Sequence, residues 1–116
     1  MLLDKNGALV KRLDFRGTSF ADLDKVNAEE LFKIIAATQQ AVNANEEFKV
    51  TDLIPKDWKK SVYKPIYEAC KDKNHADRLL GVIIKQALII TPLLFRQIAG
   101  EGDREGASYR RESLEF

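Results

Sequence analysis

Between Asn74 and Pro92 the chain carries the pattern that most restricts its fold. Leu79, Leu80, Ile83, Ile84, Ala87 and Leu88 recur at helical spacing, so an α-helix through this stretch gathers them on one face. A face that apolar has to be covered by another element. His75, Arg78, Val82, Lys85 and Gln86 fall on the other side and are expected in solvent. Asn74 is placed to cap the start, Asp77 lies near the positive end of the helix dipole, and Pro92 closes the pattern.

A second helix supplies the cover. Asn27 followed by Glu30 is a capping-box arrangement, and Leu31, Ile34, Ile35, Thr38 and Val42 then give one apolar face to about Asn43. The polar run Asn43 to Glu47 ends it. Phe48-Lys49-Val50 alternates as a short strand, and Thr51 caps a brief helical turn, Asp52-Leu53-Ile54, which Pro55 interrupts. Trp58, Val62, Tyr63, Ile66, Tyr67 and Cys70 bring apolar surface to a further helix that starts near Pro65 and ends at Lys71 to Lys73. Trp58 and Tyr67 are expected to complete the core, with Cys70 as a buried structural thiol.

Strands are expected at both ends. Leu2-Leu3, the turn Asp4-Lys5-Asn6-Gly7 and the run Ala8 to Phe15 form a β-hairpin, because Asn-Gly supplies the positive φ that a tight turn requires. Near the other end, Leu93 to Ile98 can extend and Tyr109-Arg110-Arg111 can return, with three glycines and three acids in the tip from Ala99 to Ser108.

The length of 116 residues fits one domain spanning 1–116, with a hairpin extension over 1–16, a core over 27–111 and a tail over 112–116. Net charge is +1, but residues 56–111 hold twelve Lys/Arg against seven Asp/Glu, so the basic surplus sits in the second half. One cysteine and one histidine leave no set of residues for a structural zinc site or a disulfide within the chain, and no glycine-rich phosphate loop joins a strand to a helix. The expectation is a cytoplasmic, non-enzymatic protein with no cofactor, metal or small-molecule substrate. The longest apolar run, Ala87 to Phe95, is broken by Thr91 and Pro92, so no membrane span is expected.

The order helix, short strand, short helix, helix, basic hairpin resembles the winged helix-turn-helix domain. The residues that carry the likeness are Phe48-Lys49-Val50-Thr51-Asp52-Leu53 for the strand entering the second helix, Ala76-Asp77-Arg78-Leu79-Leu80-Gly81 for the last helix, and Gly102 to Arg111 for the wing. The Leu-Gly step and the closing Tyr-x-Arg are similar to those of small stand-alone winged-helix proteins of phages, plasmids and other mobile elements. The segment Pro55 to Lys64 is longer than the compact turn of that family, and Glu101, Asp103 and Glu105 place acids in the wing tip. The N-terminal hairpin is an addition, suited to a dimer contact or to covering a sheet edge.

The resemblance implies a mainly helical α+β fold and binding of double-stranded DNA, as a transcriptional regulator or as a conjugation or replication accessory factor, acting as a homodimer. It implies that His75, Arg78, Lys85 and Gln86 face base edges or flanking phosphates, that Arg104 and Arg110 come from the wing, and that Lys71, Lys73 and Arg111 touch phosphate. Free amides from Asn74 to Ala76 would hold a further phosphate. Two other readings are open on the sequence. One is a winged-helix protein-interaction module using Val82 and Ile89 or the acidic tip. The other is a four-helix immunity or antitoxin-like bundle, which requires the last 24 residues to be helical or disordered.

Overall fold

In the computed structural model, which describes residues 1–12, 21–100 and 106–112, the elements run β1 (Leu2–Leu3), β2 (Leu9–Val10), a 3-10 turn (Ala21–Lys25), α1 (Ala28–Ala44), β3 (Glu47–Lys49), α2 (Val50–Leu53), a second 3-10 turn (Trp58–Lys60), α3 (Lys64–Cys70), α4 (Lys73–Ile90), β4 (Phe95–Ala99) and β5 (Ser108–Arg111). The fold is α+β, with one mixed sheet of five strands in the order β2-β1-β4-β5-β3.

The first hairpin forms where Asn-Gly places it. The Asp4 carboxylate accepts the amides of Asn6 and Ala8, both at 2.9 Å, and Gly7 takes φ 86°. Its second strand is short, and Leu13 to Phe15, expected to extend it, lie outside the described residues.

Asn27 caps α1 by accepting the Glu29 amide at 2.8 Å. The buried line of this helix is Ile34, Thr38 and Val42. Ile35, expected on the same face, is instead 46% exposed. A helix turns about 100° per residue, and the seam against the core admits the i, i+4 line but not its neighbour. Thr38 donates to the Ile34 carbonyl and sits 3.1 Å from the Tyr63 hydroxyl, which satisfies both hydroxyls inside the core.

At α2 the cap moves from Thr51 to Lys49 and the helix opens at Val50, two residues earlier than expected, because the Asp52 carboxylate accepts the Lys49 amide at 2.8 Å. Trp58 is buried beside Tyr67 and Tyr63, with ring centroids 5.9 and 6.5 Å away. These rings anchor the long connection between α2 and α3.

The largest departure is α4. It carries the expected apolar face, but α1 and α3 both pack against it and its burial extends round the helix: Val82 is 1% exposed and Lys85 8%. Neither residue faces solvent as expected. The side open to water shrinks to the first two turns, Gln86 and the last residue.

The C-terminal hairpin is present, set inside the sheet rather than standing free. β4 and β5 pair antiparallel, β3 adds antiparallel to β5 with Phe48 opposite Tyr109, and β1 runs parallel to β4 with Leu2 opposite Phe95. Strand alternation sends Phe48, Phe95 and Tyr109 towards the helices. There Phe48 lies 6.3 Å from Phe95 and 5.7 Å from Tyr109, in one core with Leu2, Ile34, Leu80, Ile84 and Leu88. Arg96 and Arg110, opposite each other in register, point away from that core. A four-helix bundle is not what forms, since the described residues among the last 24 hold the paired strands β4 and β5 and no helix.

Candidate nucleic-acid interface

The candidate site is the corner where α3 hands the chain to α4. Lys71 ends α3 in the left-handed conformation, φ 57° and ψ 8°, with its amide donating to the Tyr67 carbonyl at 2.9 Å. It is the one non-glycine residue with positive φ among the described residues. Glycine is the usual choice at such a cap, and a side chain there costs about 1 kcal/mol.

Asp72 follows as the cap of α4. Its carboxylate accepts the Asn74 amide at 3.0 Å and its carbonyl accepts the Ala76 amide at 2.9 Å. The cap is therefore Asp72 and not Asn74, and the helix opens at Lys73. This also removes the phosphate cradle expected at Asn74 to Ala76: two of its amides are engaged, and a carboxylate stands where the anion would sit.

Lys71, Lys73, Asn74 and Arg78 are all exposed around this corner. Asn74 and Arg78 lie one turn apart on the same strip of α4. Among the described residues no carboxylate comes within ion-pairing distance of Lys71, Lys73 or Arg78. His75, beside them, is half-buried. Upstream, Lys56, Lys59, Lys60 and Lys64 are exposed as well, with Lys64 held 3.5 Å from Glu68. These four lysines belong to the connection between α2 and α3 and the start of α3, outside the helix expected to enter the groove, and their density between residues 56 and 73 is the signal the sequence offers for them.

The remaining expected contacts do not join this cluster. Lys85 is buried too deeply to meet a duplex, and Gln86, although exposed, lies about 18 Å along the helix axis from Asn74. Arg110 is exposed on the outer side of the sheet, 3.8 Å from Glu112, whose carboxylate also lies 2.9 Å from Arg96. Arg111 points the other way: its guanidinium donates to the carbonyls of Asn43 and Asn45 and covers the Phe95 ring. That ties β5 to the end of α1, so Arg111 is a structural clasp and not a phosphate contact. Arg104 lies outside the described residues. Val82 and Ile89, named for a protein-binding surface, are buried and half-buried.

A cleft of about 280 Å³ opens beside Lys71, lined by Lys25, Glu30, Pro65, Glu68 and Lys71 among others. Its walls carry both signs of charge. Among the described residues no group of three His, Cys, Asp or Glu is placed to hold a metal ion, and no helix is long and apolar enough to cross a membrane. Compared with known proteins, the chain matches no family model, no curated protein and no solved structure.

Proposed function

We propose that this protein binds double-stranded DNA as a winged helix-turn-helix domain, presenting the first two turns of α4 to the major groove. The observation that carries the reading is the cluster Lys71, Lys73 and Arg78 around Asn74: exposed at one corner and joined by no ion pair to a described carboxylate, the Asp72 carboxylate between them being engaged in capping α4. Arginine can donate two parallel hydrogen bonds to guanine, and lysines at the rim neutralise phosphates.

The order of elements supports the same reading. A long helix leads to a short strand, two helices follow, and a hairpin closes whose second strand pairs with the first. Burial along α4 from Leu79 to Lys85 favours entry by the helix end rather than along its length. In this arrangement Arg78 reads bases, while Lys71 and Lys73 position the duplex. An accessory or regulatory role in a mobile element is the biological setting the resemblance suggests.

The test is an electrophoretic mobility-shift titration against a pool of random duplexes, with selection of bound sequences, for the parent and for Arg78→Ala. The reading expects the parent to enrich a motif and the variant to bind with relaxed preference at one base position, at about 1–3 kcal/mol. Absence of any shift at low salt contradicts it.

A further inference from the structure

The outer side of α1 carries an exposed apolar strip. Phe32 is 74% exposed and Ile35 46%, with Ala28 and Ala36 exposed beside them. The strip lies about a quarter-turn round the helix from the buried line Ile34, Thr38 and Val42. A contiguous run of exposed apolar side chains on one helix face is a candidate interaction surface.

We propose that this strip is the contact by which a second copy of the chain docks, α1 against α1, antiparallel about a two-fold axis at Phe32. The charges beside the strip select both the occupant and the direction. Glu29 and Lys33 are exposed, and no ion pair joins either of them to a described residue. In an antiparallel pair centred on Phe32, Ala28 lies level with Ala36 of the second copy, where two small side chains permit close approach. Glu29 then comes within about 3 Å, along the axis, of Lys33 of the second copy. Symmetry repeats that opposite-charge pair on the other side of the axis. A parallel pair would place the Glu29–Lys33 flanks of the two copies on opposite sides of the seam, out of reach of one another, so it lacks this pairing.

The strip is smaller than the roughly 800 Å² that each partner gives to a standard interface. The dimer is therefore weak in isolation and depends on concentration. This proposal is independent of the nucleic-acid reading, because none of its residues belongs to the α3–α4 corner.

Sedimentation equilibrium of the full chain over a wide concentration range tests it. The parent is expected to associate to a dimer, and Phe32→Ser to weaken that association by about tenfold or more. Glu29→Lys alone is expected to weaken it, and Glu29→Lys with Lys33→Glu in the same chain to restore it. All three positions are solvent-exposed, and circular dichroism confirms that each variant stays folded. A parent that is monomeric up to millimolar concentration overturns the proposal. So does a Phe32→Ser variant that dimerises like the parent, or a double charge exchange that fails to restore what Glu29→Lys removes.

Discussion

The Arg111 guanidinium lies over the Phe95 ring, 5.6 Å from its centroid, while donating to the carbonyls of Asn43 and Asn45. Phe95 and Arg111 are opposite in the β4–β5 register, so the charge sits on the core side of the sheet and closes the open end of α1. Replacing Arg111 by Ala removes the cation–π contact and leaves those carbonyls without their donor. Denaturant unfolding is expected to show a loss of about 2 kcal/mol. Arg110→Ala, one residue away on the solvent side, is expected to change stability by under about 0.5 kcal/mol.

Lys71→Gly separates backbone strain from charge. Glycine adopts φ 57° without the steric cost borne by a side chain, so the variant is expected to be more stable by about 1 kcal/mol. The same variant loses an ammonium from the proposed DNA surface and is expected to bind duplex DNA less tightly than the parent. Thermal unfolding and a DNA titration on one preparation check both halves.

Asp72 offers the complementary separation. Asp72→Asn keeps an oxygen able to accept the Asn74 amide, so stability is expected to stay within about 0.5 kcal/mol. It also removes the negative charge nearest Lys71 and Lys73, and DNA affinity is expected to rise. Asp72→Ala removes the cap as well, with an expected loss of about 1 kcal/mol by chemical denaturation.

Gly100→Ala is expected to disrupt the far end of the β4–β5 hairpin. Gly100 has φ 78°, and a Cβ there would overlap the Gly106 carbonyl and the Ala107 backbone. The expected result is a loss of more than about 2 kcal/mol, with amide exchange accelerating first at Ser108 and Ala99.

How much of this was legible in the sequence depended on the range of the interaction. The apolar period from Leu79 to Leu88, the cap at Asn27 and the turn at Asn6-Gly7 are local, and the structure keeps them. Asp72 and Asn74 are equally able to cap, and two residues apart they could not be ranked by type alone. The burial of Val82 and Lys85 was hidden because periodicity identifies the more apolar face of a helix, not whether the other face is also covered. Arg110 and Arg111 have the same chemistry, and only strand register assigns one to water and the other to the core. The parallel pairing of β1 with β4 joins dipeptides from distant parts of the chain, which no local pattern announces. The exposure of Lys71, Lys73 and Arg78 at one corner was legible, whereas the directions taken by Arg110 and Arg111 were not.

The most direct measurement is the salt dependence of duplex binding, by fluorescence anisotropy between about 50 and 200 mM salt, for the parent and for the triple variant Lys71→Ala, Lys73→Ala, Arg78→Ala. The account predicts that log affinity falls linearly with log salt for the parent, and that in the variant affinity drops and the slope becomes shallower by roughly two units, from the loss of the two phosphate contacts of Lys71 and Lys73. An unchanged slope and affinity in the folded variant would contradict it, because the duplex would then be held elsewhere on the molecule.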